Sequence, residues 1–170
     1  MLVIIFLKSQ IVRNDNQCSQ YHFQVAWFKK ARQYFPDSKL LINDYDILNN
    51  YNNTVPVYRQ LITLLKDSGL IDGIGLQGHF LESYSLEEIK KNLDSIATLN
   101  LPIYIAEFDL DIANDQSQKN KYEELFPLLW NHPLLKGFTF WGYKQGNIWR
   151  SNGYLKIAEW NKSSCNVLVN

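Results

Sequence analysis

The chain has 170 residues, with 17 basic and 17 acidic side chains and a formal net charge of zero. That length suits one domain with a sizeable core, and the balanced charge gives no footing for nucleic acid or an anionic membrane surface. Hydrophobic residues at 46% argue against wholesale disorder, and no apolar run approaches the ~20 residues of a membrane span.

Aromatic side chains reach 14%, with five Trp and ten Tyr. Such rings either fill a core or line a cleft where the flat C–H faces of a sugar can stack. Composition leaves both open. Cys18 and Cys165 are far apart, so a disulfide is possible but not indicated, and no metal-ligand spacing occurs.

In chain order, the apolar opening Met1 to Leu7 comes first. No basic residue precedes it and no small-residue cleavage site follows, so it makes a poor signal peptide. It reads as a strand or the scar of a truncated gene model, with a targeting remnant as the alternative. Phe23, Ala26, Trp27, Lys30, Ala31 and Tyr34 then fall on one helical face, and Pro36 stops that helix. An apolar run at residues 39–42 precedes Asn43. Val57, Leu61, Leu64 and Leu65 mark a second helix, with Gly69 where a C-cap glycine belongs. Residues 71–76 run apolar up to Gln77. Ser85-Leu86-Glu87-Glu88 is a capping box opening a helix that carries Ile89, Leu93 and Ile96. Residues 103–106 lead to Glu107. Tyr122, Leu125, Phe126, Leu129 and Trp130 form a fourth helical face, in which Pro127 is a potential kink. Residues 138–140 end at Trp141.

The strand ends recur with a fixed period. Asn43 to Gln77 is 34 residues, Gln77 to Glu107 is 30, and Glu107 to Trp141 is 34. A strand, a helix and two loops need about 30 residues, so the chain reads as consecutive βα units with a parallel sheet. An open doubly wound sheet and part of a β/α barrel both fit. No Gly-rich phosphate loop follows a strand, which argues against a dinucleotide fold. In a barrel, the working residues sit at the C-terminal strand ends. Side chains two apart share a face, so Gln77 pairs with His79, Glu107 with Asp109, and Asn43 with Tyr45. The same parity puts Ile103 and Ile105 on the Glu107 face, along an inward line with Leu41. Taken singly, Glu107, His79, Trp141 and Trp149 could each be a solvated rim or core residue.

Four motifs in order change that reading. Leu41-Ile42-Asn43-Asp44-Tyr45, Gly73-Ile74-Gly75-Leu76-Gln77-Gly78-His79, Ile105-Ala106-Glu107-Phe108-Asp109 and Gly137-Phe138-Thr139-Phe140-Trp141-Gly142 resemble glycoside hydrolase family 10. The resemblance runs from about Phe23 to Tyr154. It implies an α/β fold, a partial (β/α)8 TIM barrel of about the last four βα units. Residues 1–22 would be a non-matching N-terminal segment, residues 23–154 the C-terminal half of the catalytic barrel, and residues 155–170 a poorly matching tail.

The family is mainly endo-β-1,4-xylanases, so the resemblance also implies roles. Glu107 matches the nucleophile of a retaining double displacement. His79 matches the histidine that hydrogen-bonds it, and Asp109 supports His79. Gln77 lies near the nucleophile and the bound sugar, Asn43 and Tyr45 on the leaving-group side, and Trp141 and Trp149 around the sugar upstream of the cut. The expected partner is the polysaccharide xylan, with no nucleic acid, membrane, cofactor or metal. An extracellular location is expected from the family.

The sequence also departs from the pattern. The family's acid/base is the Glu of an Asn-Glu pair ending the fourth strand, but here no Glu precedes Glu82 and only Asp15 is acidic before the first helix. Ala106 and Phe108 replace the usual Thr and Leu, and Gln145 stands where many relatives are acidic. Two classes of function therefore stay open: a xylanase whose acid/base half this chain lacks, or a non-catalytic carbohydrate-binding relative or inactive fragment.

Overall fold

The computed structural model describes residues 2–6 and 21–155, the first five by backbone alone; Asp15, Cys18 and Cys165 lie outside these segments. Five strands form one parallel sheet in sequential order: β1 (Leu2–Phe6), β2 (Lys39–Asp44), β3 (Gly73–Gly78), β4 (Ile103–Phe108) and β5 (Leu135–Phe140). The four strands expected from the 34-30-34 rhythm form in place, and the apolar opening adds a fifth beside β2, with Phe6 opposite Asn43.

Helices α1 (His22–Tyr34), α2 (Thr54–Asp67), α3 (Leu86–Ala97) and α4 (Asp115–Trp130) fill the four crossovers. Right-handed crossovers between sequential parallel strands place successive helices on one face of the sheet. The core lies between that face and the helices: Leu40, Ile42, Ile74, Leu76, Ile103 and Ile105 meet Leu61, Ile62, Leu65, Ile89, Leu93 and Ile96. This is the wall of a barrel, not a sheet covered on both sides.

The helix boundaries follow local signals. Ser85 accepts from the Glu88 N–H while the Glu88 carboxylate accepts from the Ser85 N–H, closing the capping box. Gly69 takes φ +65° after α2, where a side chain would be strained. Helix α4 continues through Pro127 to Trp130. The aromatic stripe of α1 turns outward instead: Phe23, Trp27 and Tyr34 are exposed, and Phe28 is the residue buried against the sheet.

One expectation is overturned. Ile103 and Ile105 do not face the same way as Glu107. They pair with Ile74 and Leu76 and pack under the helices, whereas Gln77 pairs with Glu107. The register shifts between Leu76 and Gln77, so β4 spends the extra residue Ala106 there. An extra residue reverses the alternation beyond it. The inward residue of β4 is instead Tyr104, whose ring lies 3.2 Å from a Cβ built on Gly73 and 2.8 Å from one built on Gly137. Two neighbouring strands thus carry glycine where the tyrosine ring needs room.

Candidate active site

The bulge turns Glu107 inward beside Gln77 at the C-terminal rim. His79, two residues beyond Gln77, sits between two carboxylates. Its Nε2 is 3.0 Å from Glu107 Oε2 and its Nδ1 is 3.1 Å from Asp109 Oδ2. All three side chains are buried, Asp109 completely. Burial alone would lower the imidazole pKa, but Asp109 and then Glu107 outweigh it and the net shift is upward. The imidazolium is therefore the form this geometry favours.

Asp109 is held in turn from the far side. Arg150 Nη1 donates to its Oδ1 at 2.8 Å, and Trp149 Nε1 donates to its Oδ2 at 2.7 Å. Burial would raise the Asp109 pKa; His79, Arg150 and Trp149 bring it below the usual carboxylate range. Arg150 also pairs with Glu82 and stacks its guanidinium 4.5 Å from the Phe80 ring centroid. The segment after β5 is irregular, and this clamp fastens it. Gln118 on α4 adds to it by donating to Leu110 O and Asn152 O.

Above this charge network lies a pocket of about 380 Å³, lined by Tyr45, Gln77, His79, Phe80, Glu107, Trp141 and Trp149. The Trp141 N–H donates to Phe108 O at 2.9 Å, which fixes the start of the aromatic wall. Trp141 and Trp149 are both partly exposed, and Trp149 packs edge-on to His79 with centroids 5.0 Å apart. Of the eight residues singled out from sequence, the structure brings six to this pocket and places Asp109 directly beneath it. Asn43 does not line it. Its side chain is fully buried, with its Oδ1 2.8 Å from a Cβ built on Gly75. Arg150, Glu82 and Phe80 escaped sequence reasoning. Phe80 could have been found as the neighbour of His79, but nothing local links Arg150 to Glu82.

The arrangement offers one carboxylate aimed into a cleft, an imidazolium that steadies it, an amide beside it and aromatic walls for a flat, polar ligand.

Comparison with known proteins identifies the family. The family model for glycosyl hydrolase family 10 matches residues 13–165. Endo-1,4-beta-xylanase B of Cellvibrio japonicus is 40% identical over 124 residues, covering 72% of this chain and 20% of that protein. Anti-sigma-I factor RsgI6 of Acetivibrio thermocellus is 30% identical over 125 residues, covering 72% of this chain and 16% of that protein. Among solved structures, TsXylA, an intracellular xylanase from Thermoanaerobacterium saccharolyticum, in complex with xylotetraose as a mutant, aligns with TM-score 0.77 at 26% identity. That match covers 86% of this chain and 48% of the xylanase. The chain spans about a fifth of that first relative and about half of that solved structure. With most of the sequence matched and the β/α wall shared, the chain belongs to glycosyl hydrolase family 10 and carries part of its (β/α)8 barrel.

Proposed function

We propose that this chain carries the nucleophile half of a retaining endo-β-1,4-xylanase site, with Glu107 as the attacking carboxylate. The observation that carries the reading is the Glu107–His79 contact of 3.0 Å at the floor of an aromatic-walled pocket. In a retaining hydrolysis, a carboxylate oxygen bonds the anomeric carbon while the leaving sugar departs with a proton from a second carboxyl. Water then hydrolyses the glycosyl-enzyme. The His79 imidazole, hydrogen-bonded to Glu107, holds its rotamer. Asp109, fastened by Arg150 and Trp149, orients that imidazole. Gln77 stands next to Glu107, where a donor can bind the sugar 2-OH as charge develops. Trp141 and Trp149 wall the sugar upstream of the cut, and Tyr45 the leaving-group side. Xylan is the substrate class supported by the xylanase relatives and by the xylotetraose complex.

Among the described residues the pocket holds no second carboxyl to act as proton donor. Glu107 is the only carboxyl among the described pocket residues, and strand β1, beside β2, reads Leu-Val-Ile-Ile-Phe. We expect this chain alone to cleave xylan negligibly, because positioned acid catalysis is typically worth about 10²–10⁴-fold. An aryl xyloside with a good leaving group needs little proton donation. Intact-mass analysis after incubation with such a substrate should show a glycosyl adduct that Glu107→Gln lacks. Robust xylan cleavage, abolished in Glu107→Gln, would reveal a second carboxyl and sink the incomplete-site reading. A second reading, carbohydrate binding without catalysis, is favoured by the same lone carboxyl and by the likeness to a protein named as an anti-sigma factor. Oligosaccharide binding with no adduct on the aryl xyloside would select it.

A further inference from the structure

The polar groups behind Glu107 form a chain, and its far end has no part in the displacement described above. Glu107 meets His79, His79 meets Asp109, Asp109 meets Arg150, and Arg150 meets Glu82. Glu82 lies on the short turn Leu81–Ser83 after β3 and does not line the Glu107 pocket.

We propose that Glu82 is a positioning residue of the Glu107 site: its carboxylate shares Arg150 with Asp109 and so keeps Asp109 available to the His79 imidazole. The inference rests on the reading of Glu107 as the attacking group and names a remote residue on which that group depends.

The geometry makes Arg150 a divided partner. Glu82 meets the guanidinium with both oxygens, Oε1 on Nη2 and Oε2 on Nη1 at 3.5 Å. The same Nη1 donates to Asp109 Oδ1 at 2.8 Å. Asp109 Oδ2, 3.1 Å from His79 Nδ1, is left for the imidazole and the Trp149 N–H.

Burial gives these contacts weight. Side-chain exposure is 13% at Glu82, 9% at Arg150 and 0% at Asp109. Charges so withdrawn from water interact more strongly than a surface pair. The other acidic neighbour of the guanidinium, Asp111, lies 3.7 Å from Nε with a 25% exposed side chain, and it also accepts the Asn152 N–H. Glu82 is the closer and drier partner.

The backbone is shaped for the contact. Phe80, between His79 and the turn, has φ +62°, a left-handed conformation unusual for a bulky residue. Leu81 is fully buried and anchors the turn. The Phe80 ring lies 4.5 Å from Arg150 Cζ, so the same strained segment supplies both a carboxylate and a ring to the guanidinium.

In Glu82→Gln, the charge of Arg150 would fall on Asp109 undivided, and Asp109 would support the His79 cation less. Loss of a nearby anion also disfavours that cation directly, so both effects lower the His79 pKa. The other titratable groups around this chain are Glu107, Asp109 and Asp111 on β4 and the loop after it, Tyr45 beyond β2, Tyr122 on α4, and Arg150. All of them remain in the variant.

His79 is one of three histidines. NMR titration of the whole chain, with His22→Gln and His132→Gln to assign the other two, reads its midpoint. Glu82→Gln should lower that midpoint by about half a pH unit, the scale of one partly screened charge acting at short range. Glu82→Asp, a carboxylate one methylene shorter, should fall between Glu82→Gln and the unaltered chain. Adduct formation on the aryl xyloside should slow about threefold in Glu82→Gln, the same free energy expressed as a rate. An unchanged His79 midpoint in folded Glu82→Gln overturns the proposal and leaves Glu82 a tie for its loop. So does a lowered midpoint with an unchanged adduct rate. If Glu82→Gln does not fold, the Glu82→Asp midpoint decides in the same way, and collapse of both variants overturns the proposal by making Glu82 a requirement of the fold. A lowered midpoint in a chain that forms no adduct at all upholds the coupling of Glu82 to His79 and sinks Glu107 as nucleophile, so the two readings fail separately.

Discussion

The ends of β2 and β4 hold buried polar groups in opposite ways. At β4 every charge has a partner: Glu107 faces His79, His79 faces Asp109, and Asp109 faces Arg150 and Trp149. At β2, Asn43 is fully buried with neither side-chain polar atom hydrogen-bonded among the described residues, and Asp44 Oδ2 is in the same position. Among the described residues, Asp44 accepts from the Tyr45 N–H at its other oxygen. Burial raises its pKa to about 7, the Tyr45 N–H opposes that, and Asp46 adds to it. The nearby Tyr58 hydroxyl, 2.8 Å from Gly75 O, is itself pushed upward by burial and by Asp44. Partners thus set the charge at β4, and desolvation sets it at β2.

The largest expected effect tests the partnered end. Glu107→Gln should reduce glycosyl-adduct formation on an activated aryl xyloside on the order of 10⁴-fold, as loss of a group that acts in a unit does. Mass spectrometry reads this directly, and an unchanged rate would show that another group attacks.

Arg150→Met comes next. It removes the cation paired with Glu82 and leaves Asp109 with His79 and Trp149 alone in a nearly buried setting. Breaking such a pair from one side typically costs about 3–5 kcal/mol. Urea unfolding should show a lower midpoint with an unchanged slope. A loss below about 1 kcal/mol would mean the clamp is solvated and idle.

Asp44→Asn probes the unpartnered end through pH. The folded pKa lies above the unfolded value, so the protonated form is the stabilising one. Its contribution is fully present below about pH 4, and it is lost as pH rises through about 7. His79, also raised, loses stability in the same direction above its ordinary range, so the comparison must be a difference between variant and wild type. Asp44→Asn should be relatively more stable at pH 8 than at pH 4, by an amount on the order of a few kcal/mol. Parallel pH profiles would put Asp44 in contact with water or a cation and erase the contrast between the two strand ends.

Ser85→Ala, remote from both ends, should cost only about 1 kcal/mol at any neutral pH, through loss of the capping box. It calibrates how large an effect at either strand end has to be before it counts as specific to charge.

Much was legible from residues alone because the signals are local. Apolar runs at a period near 30 residues mark the strands, Gly69 and the Ser85 capping box mark helix ends, and the motif spacing brings Gln77, His79 and Glu107 to one rim. Each of these depends on a few neighbouring residues and on backbone geometry that repeats. Tertiary structure alone decided the rest. One extra residue at Ala106 reversed the facing of β4, because alternation is lost when a strand and its partner differ by one residue. It turned Tyr104 towards Gly73 and Gly137 and left Ile103 and Ile105 under the helices. The outward aromatic stripe of α1 is equally invisible in a helical wheel, which shows which residues share a face but not which face meets the sheet. Arg150 reaches Glu82 across 68 residues of chain, and the Glu107 pocket draws its walls from the ends of β2, β3, β4 and β5. Such contacts are chosen by how the βα units stack, and no local pattern encodes that choice.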